Sequence, residues 1–496
     1  MTSGRKGNTV KGRPEPAFCF SGVLANVFSI LRGDRIVREV YSLSNGLKAP
    51  VYMVGGALRN IFLKKEPGRD YDFSLLGDVR GFSQGLSKAL GGSFFLLDEE
   101  SPTWRIVIKK GPIATIDISL LKDGDVLRDL GKRDFTVNAI ALSIPDLFGK
   151  EIPGLIDPHR GLRDIEEMVL RAVSPRVFDE DPLRLLRAIR LSQQYAFRIE
   201  ESTGALIKEK GALLSESAAE RIRDEVALIF SHPGSWGSIE KLFQAGILGV
   251  IFPELKGWGS LAGYDLLGHS LNTLREAEVI LSGRPLHAGL KGHFEGMTGG
   301  IGREAVFKIG AFLHDIGKPA AMKFEEGVLG FIGHEVEGEA AVKRVLKRLK
   351  MSRKAVKAVA TLVRNHHRIF TLAGLPKPSL RARSHFFNSA GGELGCDLLL
   401  IGLSDARATG GGEDERLLRV VLDMLGFYFD VYSKRKPKPL LSGDEIKHVF
   451  GVDEGPAVGE IMREISEGVE EGAVRTKKDA VAYVRRHLKG KGIKPS

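Results

Sequence analysis

Hydrophobic and polar positions follow different patterns in the first third of the chain and in the rest. Between residues 50 and 145, short apolar runs alternate with turns and short helical stretches, which is typical of a small α/β domain. From about Asp164 onward, apolar residues recur at helical spacing with few β-branched alternations. We therefore expect an α+β protein in which a small α/β head domain is followed by an all-helical neck, body and tail.

The strands of the predicted head domain are apolar runs bounded by turns. Val51–Val54 is typical of a buried strand that ends at Gly55-Gly56, and a helix is expected over 57–62. Further strands, in an antiparallel or mixed sheet flanked by helices, are predicted over 69–75, 94–97, 104–109 and 114–120. The apolar stretch 17–31 resembles a signal peptide, but its helical spacing and the absence of a cleavage pattern favour an amphipathic helix.

Composition limits the class of protein. The chain has 496 residues, 43% hydrophobic and 27% charged, which excludes a disordered or fibrous chain and suggests about three domains. It has no apolar run long enough to cross a membrane. The net charge of +11 favours a polyanionic partner such as nucleic acid. Cys19 and Cys396 cannot form a disulfide framework or a zinc-thiolate site, which fits a reducing cytoplasm.

Two aspartates alternate with one aromatic residue in the strand predicted over 69–75. Because side chains alternate across a strand, Asp70 and Asp72 share one face. Paired carboxylates repel unless a cation joins them, and Mg²⁺ prefers such oxygen ligands together with phosphate oxygens. Gly55-Gly56 would let the backbone approach a phosphate, and Arg59 could reach it. An exposed polar strand face is the alternative reading of the two aspartates.

A third aspartate lies on a later predicted strand. Asp117 stands among apolar neighbours in the segment 115–119, so it could be a third metal ligand. An aspartate that only satisfies local hydrogen bonds at a strand end is equally consistent with this pattern.

Five segments of the head and neck resemble one enzyme family. The segment 55–60, followed by 70–72, resembles the head domain of the class II tRNA nucleotidyltransferase and bacterial poly(A) polymerase family. The resemblance continues in the family's order, to about residue 230, through 132–139, 157–164, 180–184 and 220–225. Each segment alone is weak evidence, but the five together are strong.

The resemblance implies two-metal phosphoryl transfer. Asp70 and Asp72 would hold two Mg²⁺ ions, one activating the 3′-hydroxyl of RNA and the other supporting the leaving pyrophosphate. The residues implied to contact the incoming nucleotide are Gly55, Gly56, Arg59, Arg133, Asp134, Asn138, Asp181, Arg184, Arg187 and Arg190. Within this set, Asp181 and Arg184 would read the base.

The last four of these residues recur every third position. Asp181 suits a helix cap and Pro182 suits the first helical turn, so the arginines would form one polar stripe. A solvated, salt-bridged helix face is the alternative reading. The phosphate-binding head beside this helix favours contact with the nucleotide.

Two positions depart from the family's usual pattern. Asn60 stands where the family usually has aspartate, and it keeps a hydrogen-bonding oxygen without the charge. Lys132 stands where arginine is usual, and it keeps the charge without the bidentate fork. Neither change removes a predicted metal ligand, so the departures bear on nucleotide selectivity and on the level of activity.

A second constellation of histidines and aspartates follows in the helical part. An adjacent pair, His314-Asp315, is predicted to lie on a helix, with His269 upstream, Asp405 downstream and further histidines between. The pattern His, His-Asp, Asp resembles the HD phosphohydrolase superfamily, and the implied ligands are His269, His314, Asp315 and Asp405. A second metal could be held by His334 with His366 or His367. Mixed imidazole and carboxylate ligands suit Mn²⁺, Ni²⁺ or iron; an HD fold retained only as an RNA-binding body is the alternative.

These patterns divide the chain into five predicted segments. They are a flexible basic N-terminus (1–16), a nucleotidyltransferase head (17–145), a helical neck that binds RNA and nucleotide (146–260), an HD domain (261–432), and a linker with a helical tail (433–496).

The leading functional hypothesis is an RNA nucleotidyltransferase that adds CCA, or its terminal A, to tRNA from CTP and ATP. Its expected partners are the tRNA 3′ end and ATP, with CTP as a further substrate of a CCA-adding enzyme, and Mg²⁺ is the expected cofactor. We expect no membrane partner. A poly(A) polymerase is the close alternative, although such enzymes usually lack an intact HD set. A mainly hydrolytic HD enzyme, with the head as a nucleotide or RNA sensor, is the alternative from a different class.

Overall fold

The computed structural model describes most of the chain. The described residues are 20–63, 69–98, 102–109, 113–149, 154–325, 328–375, 378–410, 414–434, 440–470, 474 and 476–488. The predicted N-terminus 1–16 and the greater part of the predicted linker, residues 435–439, lie outside them. No helix in the described part is both long enough and apolar enough to cross a membrane.

The chain forms two compact units. The first comprises Met1–Arg184 and Tyr195–Ile207, and the second comprises Leu185–Gln194 and Lys208–Ser496. The chain therefore crosses between the units at three points inside two helices of the predicted neck, Arg184–Tyr195 and Glu201–Lys210. Each unit carries one of the two predicted constellations.

The strands concentrate in the first unit, where seven of them form one mixed sheet in the order β3-β4-β5-β2-β1-β6-β7. Only the β2–β5 pair is parallel. The strands are β1 Val51–Val54, β2 Asp70–Leu75, β3 Ser93–Asp98, β4 Thr103–Ile108, β5 Ala114–Leu120, β6 Ala141–Ser143, β7 Leu155–Ile156, β8 Val169–Leu170, β9 Arg198–Ile199, β10 Met297–Thr298, β11 Ile301–Gly302, β12 Lys323–Glu325 and β13 Val328–Gly330.

Helices surround the sheet and make up most of the second unit. Those up to residue 210 are α1 Phe20–Gly33, α2 Arg35–Leu47, α3 Gly56–Phe62, α4 Val79–Leu90, α5 Val126–Gly131, α6 Ile144–Leu147, α7 Gly161–Glu166, α8 Val177–Glu180, α9 Arg184–Tyr195 and α10 Glu201–Lys210. The next are α11 Ala219–Ser231, α12 Ser235–Gln244, α13 Leu248–Ile251, α14 Leu266–Ser282, α15 Gly289–Phe294, α16 Arg303–Leu313, α17 Lys318–Ala321 and α18 His334–Arg348. The last are α19 Arg353–Asn365, α20 Arg368–Ala373, α21 Leu380–Ala390, α22 Leu394–Gly410, α23 Glu415–Gly426, α24 Gly443–Phe450, α25 Pro456–Glu470 and α26 Lys477–Leu488.

The alternation of side chains along β5 explains how the sheet has a core face and a polar face. Ile116 and Ile118 are fully buried, whereas Thr115 and Asp117 point the other way and are half-buried. The predicted mixed sheet with flanking helices is confirmed. The predicted helix over the first apolar stretch is also present as α1, but its Ile30 is 42% exposed.

The second unit is helical with short exceptions. The ladders β10–β11 and β12–β13 interrupt it, and the parallel pair β8–β9 lies late in the first unit. These strands have two or three residues, too few for an alternating pattern to stand out from helical spacing. In the core of the second unit, Phe307 and Ala311 of α16 pack with Leu399 and Leu403 of α22, and α14 packs against both helices.

Candidate functional sites

The register of the head sheet places the predicted carboxylates side by side. Asp72 on β2 is the register partner of Val54 on β1 and of Asp117 on β5, and Asp117 in turn pairs with Arg105 on β4. Asp70 is exposed and Asp72 is half-buried, so solvent and ligands can reach both. The Thr115 hydroxyl donates to Asp70 Oδ1. A polar row therefore crosses three adjacent strands.

The glycine turn lies against this row. Gly55 has φ +76°, a left-handed conformation that favours glycine. A Cβ there would stand 2.9 Å from Asp72 Oδ2 and 3.6 Å from Arg133 Nη1. Arg133 is oriented by the buried Asp129, which accepts from its Nη2 at 2.8 Å. The absence of a side chain at Gly55 thus leaves room for a carboxylate and a guanidinium to converge.

The third aspartate has an arginine partner. Both oxygens of Asp117 accept hydrogen bonds from Arg105, at 2.7 Å each. The hydrogen bonds to Asp117 raise the pKa of Arg105, opposed by burial, and Asp70 and Asp72 raise it further. Asp117 is therefore next to the carboxylate pair as the sequence predicted. Its role as a third metal ligand stays a prediction, and metal binding there would have to compete with Arg105.

Behind the glycine turn, Arg59 is almost completely buried, with 6% of its surface exposed. Its Nη1 donates to Asn138 Oδ1, and Asn138 Nδ2 donates to Asp134 Oδ1 at 2.9 Å. Its Nη2 donates to the Tyr195 hydroxyl at 2.8 Å. The structure brings together two of the resembling segments here, and it adds Tyr195, which sequence reasoning missed.

The predicted base-reading residues lie at the start of α9, which begins two residues later than the sequence suggested. Asp181 Oδ1 accepts from the backbone N–H of Leu183 at 3.2 Å, as a cap would. Arg184 Nη2 donates to the backbone oxygen of Lys132 at 2.8 Å. Arg184 Nη1 also lies 3.3 Å from Glu180 Oε2. Contact with a base stays a prediction for Asp181 and Arg184.

The other two arginines of the predicted stripe belong to the second unit. Arg190 Nε donates to Glu225 Oε2 at 2.7 Å, and Arg187 Nη1 lies 3.5 Å from Glu225 Oε1. Glu225 is 5% exposed. Arg187 and Arg190 are therefore salt-bridged in this structure, as the alternative interpretation of the stripe predicted. Their contact with the triphosphate stays a prediction.

The HD constellation is assembled in the second unit. His269 comes from α14, His314 and Asp315 follow α16, and Asp405 comes from α22. His269 Nε2 lies 3.2 Å from His314 Nε2, 3.3 Å from Asp315 Oδ2 and 3.2 Å from Asp405 Oδ1. His314 Nε2 lies 3.1 Å from Asp315 Oδ2. Four donors from three parts of the chain thus face one point, as the sequence predicted.

The other histidines form a second group that shares Asp315. His334 Nε2 lies 3.2 Å and His366 Nε2 3.7 Å from Asp315 Oδ1, the oxygen opposite the one that faces His314. The ligand atoms of His334, His366 and His367 lie within 4.8 Å of one another. Asp315 therefore stands between two groups of imidazoles with one oxygen directed at each.

Hydrogen bonds fix the tautomers of three of these histidines. His314, His334 and His366 each have Nδ1 within 2.7–2.8 Å of a backbone carbonyl three residues earlier. Because a carbonyl only accepts, Nδ1 carries the proton in each ring. The neutral form of each ring then presents the Nε2 lone pair to the centre, which is how histidine binds metals.

The carboxylates and imidazoles of this centre shift one another's pKa values, and a metal would have to displace the proton of His269. Burial alone would raise the pKa of Asp315, but the histidines around it hold the pKa well below its usual value. Burial lowers the pKa of His269, whereas its contacts with Asp315 and Asp405 reverse this and raise it to about 9. Burial lowers the pKa of His366 to about 3. A carboxylate held ionised among imidazoles is a chemically suitable donor set for a transition metal.

One buried atom favours a cation at this centre. Asp315 Oδ1 accepts no hydrogen bond from any described residue that meets normal geometry, although His334 lies beside it. A buried carboxylate oxygen without a donor is costly. The donor set therefore fits metal ions. Lys318, which sequence reasoning missed, has its Nζ 2.6 Å from Asp315 Oδ2 and 4.9 Å from the ring centre of Tyr264.

Comparison with protein families matches three stretches of the chain, two of which overlap the candidate sites. The Poly A polymerase head domain matches residues 51–171, the probable RNA and SrmB-binding site of polymerase A matches 196–258, and the HD domain matches 267–401. The fold and the two sites thus define a nucleotidyltransferase of the poly(A) polymerase type that carries an HD domain.

Individual relatives narrow the class. The A-adding tRNA nucleotidyltransferase of Deinococcus radiodurans is 32% identical over 453 residues, covering 88% of this chain and 94% of the relative. The CC-adding tRNA nucleotidyltransferase of Geobacter sulfurreducens is 30% identical, covering 87% and 91%. A CCA-adding enzyme in complex with ATP has the same fold, with a TM-score of 0.62 at 21% identity over 95% of this chain and 98% of that one. The chain belongs to the tRNA nucleotidyltransferase family.

Proposed function

We propose that the chain adds nucleotides to the 3′ end of tRNA, using ATP and CTP or ATP alone. The observation that carries the proposal is the placement of Asp72 beside the Gly55 turn and Arg133, with Asp70 two residues earlier on the same strand. Relatives named as A-adding, CC-adding and multifunctional CCA proteins support the substrate class. Because those names differ, the identity of the added bases is the part that an assay must decide.

The head residues divide the work of the transfer. Asp70 and Asp72 would hold Mg²⁺ ions, which supply activation of the 3′-hydroxyl and charge stabilisation of the leaving pyrophosphate. Arg133 and Arg59 place positive charge next to the glycine turn, where a triphosphate can approach the backbone. Asp181 and Arg184 carry donors and acceptors suited to the edge of a base.

The experiment uses three tRNA transcripts, ending before CCA, after C and after CC. Each is incubated with the full-length protein and Mg²⁺, with ATP and CTP supplied separately and together. Addition of both bases supports a complete CCA-adding enzyme, and addition of A to the CC-ending transcript alone supports an A-adding enzyme. Addition of C alone would contradict the proposed use of ATP and would support a CC-adding enzyme. Long A tails would favour the poly(A) polymerase alternative, and no addition to any transcript would contradict the proposal.

A second activity is supported by Asp315, which offers one oxygen to each of two imidazole groups. We infer that the HD centre is a metal-dependent phosphohydrolase. His269, His314 and Asp405 would hold one ion, and His334, His366 and His367 would hold another, with Mn²⁺, Ni²⁺ or iron as the metals that suit these donors. Bound metals would supply a nucleophile and polarise the phosphoester.

Hydrolysis of 2′,3′-cyclic AMP and of p-nitrophenyl phosphate with added Mn²⁺ or Ni²⁺ tests this activity. Activity that His314→Ala abolishes, while nucleotide addition persists, supports the HD site as its location. The absence of hydrolysis with each metal, despite measured metal binding, would favour the alternative of an HD fold retained as an RNA-binding body.

A further inference from the structure

Arg59 is held by an aromatic residue far away in the sequence. We propose that Tyr195 is a positioning residue, which fixes the guanidinium of Arg59 for contact with the nucleotide triphosphate. The inference rests on the proposed function, because Arg59 acquires its role from the nucleotide site. Tyr195 stands at the end of α9, and it belongs to the same compact unit as Arg59.

Two contacts join these side chains. Arg59 Nη2 donates to the Tyr195 hydroxyl at 2.8 Å, and the guanidinium carbon lies 4.3 Å from the centre of the Tyr195 ring. Tyr195 is 8% exposed and Arg59 is 6% exposed, so both contacts are largely shielded from water. Shielding strengthens hydrogen bonds and cation–π contacts relative to those on the surface.

Three acceptors together determine the plane of the guanidinium. Besides Tyr195, Arg59 Nη2 donates to Asn60 Oδ1 at 3.0 Å, and Nη1 donates to Asn138 Oδ1. The group is planar, with donors in a fixed fork, so acceptors at both nitrogens define its orientation as well as its position. Tyr195 is the member of this set that restrains the group both by its hydroxyl and by its ring.

The orientation of the Arg59 guanidinium matters because the glycine turn lies next to Nη2, the nitrogen that donates to Tyr195. A Cβ at Gly56 would stand 3.2 Å from Arg59 Nη2. The absence of a side chain at this position leaves the guanidinium adjacent to the backbone that a phosphate would approach. Rotation of Arg59 away from Tyr195 would therefore move its charge relative to the turn, while the carboxylates on β2 would stay in place.

The role also gives a reason for Asn60. An amide at this position accepts from Arg59 without adding a negative charge beside it. An aspartate there would form a stronger, charge-assisted bond with the guanidinium. Because Asn60 holds the guanidinium of Arg59 less strongly than an aspartate would, the orientation of that group depends more on Tyr195. Asn60→Asp should make that orientation less dependent on Tyr195.

The test compares Tyr195→Phe with the wild-type protein in tRNA extension. Phenylalanine keeps the ring and the burial but removes the hydroxyl. We expect KM for ATP and the inhibition constant for pyrophosphate to rise by up to about tenfold, because Arg59 without the hydroxyl spends a smaller fraction of time in the orientation that binds phosphate. KM for tRNA should stay within about twofold, because a local change at one buried group leaves other binding contacts intact. Asn60→Ala, which removes a different bond to Arg59, should change the same two constants in the same direction.

Two combinations separate positioning from a general structural role. In an Arg59→Ala background, Tyr195→Phe should have no further effect on the pyrophosphate constant, since the group it positions is gone. In an Asn60→Asp background, Tyr195→Phe should raise that constant by much less than in the wild type. Tyr41→Phe, in a head-domain tyrosine stacked on Phe148, is the matched control and should leave all constants unchanged.

Failure of the inference can be distinguished from failure of the proposed function. If the wild type extends tRNA and Arg59→Ala weakens pyrophosphate inhibition, but Tyr195→Phe does not, Tyr195 has no positioning role. Equal losses for pyrophosphate and tRNA in Tyr195→Phe would also overturn the inference. If the wild type extends no transcript, the proposed function itself is wrong.

Discussion

The two candidate metal sites differ in ligands and in depth. The head offers carboxylates that are exposed or half-buried, namely Asp70 and Asp72, at alternate positions of one strand. The HD centre offers imidazoles and carboxylates, and its Asp315 is 1% exposed. Hard oxygen ligands near solvent suit Mg²⁺, whose coordination shell substrate phosphates can complete. A buried set of mixed nitrogen and oxygen ligands suits a tightly held ion.

If both proposed sites bind metal, this difference would keep two metal chemistries apart in one chain. In the head, phosphate oxygens of a nucleotide would complete the proposed ligand set, so we expect metal binding and substrate binding to be coupled. In the HD centre, hydrogen bonds to backbone carbonyls orient His314, His334 and His366 in advance. We therefore expect the head metal to exchange with solution and the HD metals to remain bound through purification.

The largest expected effect follows from removing a head ligand. Asp72→Asn should lower the rate of nucleotide addition on the order of a thousandfold, because charge stabilisation by a bound metal contributes several kcal/mol. Extension of a truncated tRNA measures the loss, and the metal content of the HD centre should not change. Asp125→Asn is the matched control, since asparagine can also cap α5. Loss of HD metal in Asp72→Asn would mean that the two sites are not independent.

The complementary change removes the shared ligand of the HD centre. Asp315→Asn should release metal from both imidazole groups, whereas His269→Ala and His366→Ala should each affect chiefly one group. Elemental analysis of the purified proteins measures the metal per chain. Nucleotide addition should remain in all three variants. Asp423→Asn, which changes an exposed aspartate in the same unit, serves as the control. Retention of all metal in Asp315→Asn would contradict the proposal that Asp315 is shared by the two groups.

A smaller loss is expected at the glycine turn. Gly55→Ala introduces a Cβ 2.9 Å from Asp72 Oδ2 at a residue with φ +76°. At φ +76° and ψ −143° a residue with a side chain costs about 1–3 kcal/mol, and displacement of the carboxylate adds to this, so addition should fall between about tenfold and a hundredfold. Gly46→Ala, where a Cβ meets no atom within 4 Å, is the control. An unchanged rate in Gly55→Ala would show that Asp72 tolerates the shift.

The smallest effect is expected at Asp117. Because Arg105 already engages both of its oxygens, Asp117→Asn should reduce addition by less than about tenfold. The required Mg²⁺ concentration should change little, and a Mg²⁺ titration of the addition rate measures this. A loss as large as that of Asp72→Asn, rescued by high Mg²⁺, would instead identify Asp117 as a full metal ligand that leaves Arg105 when the ion binds.

Local sequence patterns predicted those features of the sites that depend on a few consecutive residues. The β1 strand, the Gly55-Gly56 turn and the shared face of Asp70 and Asp72 follow from alternation and turn chemistry within a few residues. The predicted HD ligands came from the order His, His-Asp, Asp that the chain shares with a known superfamily, and their mutual distances could not be read from the sequence.

Contacts between distant residues escaped the same reasoning. Arg105 meets Asp117 through the register of β4 and β5, and Tyr195 meets Arg59 across 136 positions. Periodicity reports which face a residue occupies within its own element, but it does not report which element covers that face. The partners of buried charges therefore required the folded structure.

We expect tRNA 3′ ends to be extended at the head carboxylates, Asp70 and Asp72. The most direct measurement compares wild type, Asp72→Asn and His314→Ala on one tRNA transcript that ends before CCA, with ATP, CTP and Mg²⁺, and sequences the product ends. Within the time in which the wild type completes addition, we predict full extension with the wild type and with His314→Ala, and no detectable extension with Asp72→Asn. Extension by Asp72→Asn at a rate near that of the wild type, or loss of extension in His314→Ala while the protein remains folded, would contradict this interpretation.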